Sequence, residues 1–212
     1  MNFESLLSDH DIHVLSIGLD SFNKQDVFLF PEEEIQLTAL YNDKRKNEFL
    51  GARKLRNELL IKSPIAYNEI GKPFSIDDPQ IAISISHTKD LVIMGKAPFE
   101  IGIDVEIAQE KIIKIIDKFA SEHEKNLYEL AQFNLIEWYT FIWCAKEAIY
   151  KLGQVKGLSF KEEIFIEKIE TTEHDFLQLA ASIKPKKNSE SAITVYCFKS
   201  ENYLFAVARF KD

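Results

Sequence analysis

The sequence is poor in the residues that build several common kinds of site. It has 2 cysteines, Cys144 and Cys197, and their positions give no metal-ligand spacing. A disulfide framework or a thiolate metal site is therefore not expected, and a reduced, cytoplasmic setting is. Glycine numbers only 7 in 212 residues, and no glycine-rich loop precedes a lysine, which argues against a P-loop nucleotide enzyme. No apolar run approaches the ~18–20 residues that span a bilayer. The stretch carrying Glu4, Asp9 and Asp11 lacks a basic flank before an apolar run, so no secretory signal is expected. Basic residues are also outnumbered, 26 against 34 acidic ones, for a net charge of −8. That balance argues against general nucleic-acid binding, but it leaves room for a local basic cluster that takes an anion.

What remains is an ordinary globular composition, 46% hydrophobic with 16 phenylalanines, and length enough for one large or two small domains. Within it, Ile101-Gly102-Ile103-Asp104-Val105-Glu106 reads as a short buried strand. Side chains alternate along a strand, so Asp104 and Glu106 share one face while Ile103 and Val105 share the other. Two carboxylates on an apolar strand are costly to desolvate unless a cation or strong donors accompany them. Mg²⁺ suits such a pair, because it takes oxygen ligands and often only one or two carboxylates. The plainer alternative is an edge strand with its acidic face in water.

A second segment, Trp143-Cys144-Ala145-Lys146-Glu147-Ala148-Ile149-Tyr150-Lys151, reads as helix. Trp143, Glu147 and Lys151 are spaced by four and share a face. An exposed Glu147–Lys151 pair would contribute only about 0.3–0.5 kcal/mol. Yet Trp138, Phe141, Ile142, Cys144, Ile149 and Leu152 make the helix apolar nearly all round, which predicts burial and turns its charges toward a cleft or a partner.

Gly102-Ile103-Asp104-Val105-Glu106 followed by Trp143-x-x-Lys146-Glu147-x-x-x-Lys151 resembles the signature of the 4'-phosphopantetheinyl transferases, most closely the longer single-chain type that activates surfactin synthetase. Gly71-Lys72-Pro73, Ile83-Ser84-Ile85-Ser86-His87-Thr88 and Phe119-Ala120-Ser121-x-x-Glu124 resemble further segments of that family, in its order. The resemblance implies Mg²⁺ (or Mn²⁺) held by Asp104, Glu106 and Glu147, with Glu147 and Lys151 as the catalytic groups. Coenzyme A would be the co-substrate, contacted by Arg53, Lys72, Ser86 and His87. For the arginine, Arg45 and Lys46 stay open as alternatives. The partner would be an acyl carrier protein or a peptidyl or aryl carrier domain, with neither nucleic acid nor membrane involved and a monomer sufficient. The reaction would move phosphopantetheine onto a carrier serine and release 3',5'-ADP. The alternatives are a Mg²⁺-dependent phosphohydrolase or nucleotidyl transferase, and a non-catalytic carrier-binding protein.

The pattern predicts strands over 12–19, 81–86, 91–96 and 101–106, and helices opening at Pro31 and running over 43–62. In the second half it predicts helix over 111–119, a capping box at Ser121-x-x-Glu124, and a helix over 135–152 ended by Gly153. Strands follow near 164–169, 177–183, 192–199 and 203–210, with a charged loop over 184–189. A long helix followed by strands thus occurs in each half. The expected fold is α+β, with two similar pseudo-symmetric lobes over residues 1–106 and 107–212, each a small, mostly antiparallel sheet packed with a long helix. Lys111, Lys114 and Lys118 fall along one side of their predicted helix and are candidates for docking an acidic carrier protein.

Overall fold

The structure is a computed structural model, and it describes residues 7–185 and 190–211. Glu4 and residues 186–189 of the charged loop lie outside the described residues. The chain folds as two units that divide between Glu100 and Ile101.

The first unit contains β1 (His13–Gly18), α1 (Pro31–Thr38), α2 (Asp43–Glu58), β2 (Ile65–Tyr67), β3 (Pro73–Ser75), β4 (Ala82–His87) and β5 (Leu91–Ala97). Its sheet has the order β1-β5-β4-β3-β2, and every neighbouring pair is antiparallel. Helix α2 starts at Asn42, whose side chain accepts from Arg45 N at 3.2 Å, the bond expected of an N-cap. It was expected to continue to Lys62 but stops at Glu58. Leu60 adopts φ 56°, and Ile61 N bonds back to Arg56 O at 3.1 Å, closing the helix as a Schellman turn with leucine where glycine is usual. Ala52, Leu55 and Leu59 pack on Ile65, Ile83, Val92 and Met94 to form this unit's core.

The second unit contains β6 (Ile101–Ile107), α3 (Ile116–Phe119), α4 (Glu122–Asn126), α5 (Leu135–Gly153), β7 (Ile164–Glu173), β8 (Phe176–Ile183), β9 (Ser191–Ser200) and β10 (Tyr203–Phe210). Its sheet runs β6-β10-β9-β8-β7, again antiparallel throughout. The predicted helix over 111–119 is instead a 3₁₀ turn at Glu110–Lys114 followed by the short α3. Helix α5 begins on an Asn134–Glu137 capping box and ends at Gln154 in the left-handed region, φ 52°, one residue past the expected stop at Gly153. Trp138, Phe141, Ile142, Cys144, Ala148 and Ile149 are fully buried, so the helix is the centre of this unit's core.

Each unit therefore has one topology. An opening strand leads to a long helix, then to four strands in meander order, and the last strand pairs with the first. By this pattern β6 opens the second unit: it pairs with β10 from Ile101↔Arg209 to Ile107↔Tyr203. Its place in the sequence had suggested that it closed the first.

Candidate active site

Strand β6 and helix α5 carry the candidate groups, and one glycine sets how closely these elements meet. A Cβ added at Gly102 would stand 1.9 Å from Ala148 O and 2.6 Å from Leu152 N. Strand backbone and helix backbone are thus in direct contact, which only glycine allows. Asp104 and Glu106 follow Gly102 on the same strand face, and Lys151 lies one turn beyond Glu147 on the helix.

The contacts match that placement. Lys151 Nζ donates to Asp104 Oδ1 at 2.7 Å and to Ile103 O at 3.1 Å. Trp143 Nε1 donates to Glu106 Oε1 at 2.8 Å. Asp104 is only 4% exposed, while Glu106, Glu147 and Lys151 are half-buried. Burial pushes the Glu147 carboxyl up to about 7, the negative charges of Asp104 and Glu106 adding to the effect and Lys151 opposing it. Burial, then the Asp104 charge, likewise raises Glu106. The strand and helix therefore bring Asp104, Glu106, Glu147 and Lys151 within each other's electrostatic reach.

Among the described residues, no group of three His, Cys, Asp or Glu side chains forms a ready-made metal shell. The donor chemistry still fits a hard divalent cation: the set offers carboxylate oxygens without thiolate or imidazole, and their mutual repulsion is what a cation relieves.

The residues expected to meet coenzyme A lie in the first unit, and they fare differently. Arg53, the expected nucleotide contact, is fully buried. Its guanidinium is bound to Glu33 Oε1 at 2.8 Å, Gln36 Oε1 at 3.2 Å, Ile65 O at 3.3 Å and Tyr67 Oη at 3.4 Å. It also lies 3.9 Å over the Phe49 ring. Arg56 is buried against the other oxygen of Glu33 and donates to Phe28 O at 2.7 Å. Arg53 is one of two arginines in a buried Arg–Glu–Arg cluster, with its guanidinium turned into the core of the first unit. Arg45, by contrast, keeps a side chain 65% exposed and reaches Glu48 Oε2 at 3.2 Å. His87 Nδ1 lies 3.4 Å from Glu48 Oε1, so Arg45 and His87 flank one carboxylate. Ser86 is buried at the end of β4 and His87 is exposed, as neighbours on a strand should be. Lys72 is paired with Glu100.

Lys146 and Glu124 are the pair whose role went unread in the sequence. Both are buried, with Lys146 Nζ 2.7 Å from Glu124 Oε1. The signal was present: a lysine among the buried residues of a nearly all-apolar helix needs a partner, and the capping-box glutamate supplies it.

Residues 100–208, just over half of the chain, match the family model described as the 4'-phosphopantetheinyl transferase superfamily. The chain belongs to that superfamily. It is also 31% identical, over 132 residues, to the 4'-phosphopantetheinyl transferase gsp of Aneurinibacillus migulanus, a match covering 61% of this chain and 50% of that protein. The chain thus spans about half the length of this curated relative. The α+β architecture of two similar lobes, each a five-stranded antiparallel sheet, is consistent with the superfamily. No helix among the described residues is long and apolar enough to cross a membrane.

Proposed function

We propose that this superfamily member transfers the 4'-phosphopantetheine group of coenzyme A to a serine of an acyl or peptidyl carrier protein, with Mg²⁺, or Mn²⁺ in its place, as the metal. The observation that carries the reading is Lys151 bound to Asp104, on the strand and helix that also bear Glu106 and Glu147, within the stretch matched by the family model. In this reading Glu147 takes the proton of the attacking serine hydroxyl, the role of a general base. The serine oxygen bonds to the β-phosphorus of coenzyme A, and the bond from that phosphorus to the bridging oxygen breaks. Lys151 neutralises or protonates that oxygen as 3',5'-ADP leaves. Asp104, Glu106 and Glu147 would hold the divalent ion, whose chemistry when bound is to neutralise diphosphate charge.

Lys72, Ser86 and His87 are proposed contacts to the nucleotide end and the phosphates. Arg45 replaces Arg53 in that set, because its head is exposed and lies across Glu48 from His87. Lys111, Lys114 and Lys118 are exposed beside the buried Ile112 and Ile116, and they suit docking of an acidic carrier.

The test is to incubate the protein with coenzyme A, Mg²⁺ and an apo carrier protein and then weigh the carrier. A mass gain equal to phosphopantetheine, lost on chelation, is the expected result. Nucleotide turnover with no gain in carrier mass would point to a phosphohydrolase or nucleotidyl transferase. No change in either would point to a binding protein.

A further inference from the structure

Lys146 sits wholly inside the second unit, where an ammonium is costly unless every donor is used. Its Nζ reaches Phe119 O at 2.8 Å, Phe160 O at 2.7 Å, Ile164 O at 2.8 Å and the Glu124 carboxylate. Glu124 in turn accepts from Ser121 N at 2.7 Å and Ile166 N at 2.8 Å. One nitrogen thus gathers the end of α3, the start of α4, the segment after α5 and the start of β7. A hydrocarbon side chain of similar size would fill the volume, but it has no donors to draw those carbonyls to one point.

Two of the carbonyls belong to residues whose rings grip the same neighbour. Phe119 meets Trp143 edge-on, with centroids 5.1 Å apart, and Phe160 lies tilted against it at 5.4 Å. The indole held there donates to Glu106. The chain of contacts is continuous from the buried ammonium to a carboxylate of the candidate active site.

We infer that Lys146 is a positioning residue for Glu106: it fixes the backbone of Phe119 and Phe160, their rings fix the Trp143 indole, and the indole N–H fixes the carboxylate. The part that concerns catalysis rests on reading Glu106 as a site residue; the mechanical link does not.

The test uses the full ¹⁵N-labelled chain without added metal or coenzyme A, and follows the indole N–H resonances. Trp143→Phe identifies the Trp143 signal. The double variant Lys146→Met/Glu124→Gln removes both charges together, and Lys146→Gln is a milder variant that keeps donors at the site. In a folded variant the Trp143 indole should shift toward the free-indole position and exchange with solvent about tenfold faster. Carrier modification should lose a factor of about 10–100 in kcat, with the KM for coenzyme A held within about a factor of two. An unchanged Trp143 signal in a folded variant overturns the inference and leaves the proposed function standing. Failure of both variants to fold makes Lys146 a folding residue and overturns it as well. If the natural protein modifies no carrier, the proposed function falls, while the indole exchange still decides the link.

Discussion

Adding one methyl group at residue 102 should separate catalysis from stability. In Gly102→Ala the new Cβ would start 1.9 Å from Ala148 O, and real Cβ contacts are not found under 3.0 Å, so strand and helix must part by roughly 1 Å. The atoms in the way are backbone, so no rotamer change can absorb the overlap. The same movement would carry the Lys151 backbone away from Asp104 and displace the ion pair that now closes at 2.7 Å. Overpacking of this kind costs about 1–3 kcal/mol, and replacing a strand glycine returns up to about 1 kcal/mol. The net loss is small beside a domain stability of about 5–15 kcal/mol, so the variant should stay folded at 25 °C. Displacement by 1 Å at a reacting centre can lower the rate about 100-fold. The assay is single-turnover modification of an apo carrier, followed by mass, with urea unfolding run in parallel. If Gly102→Ala kept its rate within about threefold of the natural protein, the backbone contact would not be what sets the site.

Four further outcomes are expected. Asp104→Ala should lower carrier modification by a factor of about 100 or more without unfolding the chain; a residual rate above about a tenth would remove Asp104 from the site. Glu147 binds its proton more tightly in the folded protein, at about 7, than a free carboxyl at 4.5, so it lowers stability as pH rises through that window and adds no further change above it. Urea unfolding in EDTA should therefore show Glu147→Gln gaining on the natural protein by about 1–3 kcal/mol between pH 4.5 and 7, and the opposite slope would refute the assignment. Glu33→Ala leaves the buried Arg53 and Arg56 without their counter-charge and should cost about 3–5 kcal/mol in urea unfolding, whereas a loss under about 1 kcal/mol would mean water reaches the cluster. Reversing Lys111, Lys114 and Lys118 to glutamate should raise the KM for an acidic carrier about tenfold and leave that for coenzyme A unchanged; equal KM values would move docking elsewhere.

The parts of this molecule that the sequence made legible are those governed by short periods. Alternation along Ile101–Glu106 placed Asp104 and Glu106 on one face, and spacing by four placed Glu147 and Lys151 together on α5. The longer strands of the second unit were read to within a few residues, since their apolar runs are bounded by turns. β2 and β3 were missed because three residues each carry no period. The partner of β6 was missed for a different reason: strand pairing with β10 is decided by contacts across the whole second half. The arginines could not be told apart because α2 is rich in charge throughout, and only the remote Glu33 distinguishes Arg53 and Arg56 from Arg45 and Lys54. A buried ion pair between segments far apart in sequence leaves no periodic trace.

The two units share strand order and the position of the long helix, yet only the second brings acids and a lysine together on its opening strand and helix. The difference lies in how closely helix and strand approach. In the first unit Gly51 lies on the helix, and an added Cβ would meet side-chain atoms of Leu19 at 3.1 Å and Val92 at 3.2 Å. Side chains can yield by a few tenths of an ångström, so that contact is tight but does not bring backbone against backbone. In the second unit Gly102 is on the strand, and the atoms it admits are helix backbone. Backbone contact puts Lys151 within reach of Asp104, and it leaves Glu147 half-buried beside two other carboxylates, where burial raises its pKa. A shared topology supplies the scaffold. The chemistry depends on which of the two facing elements gave up its side chain.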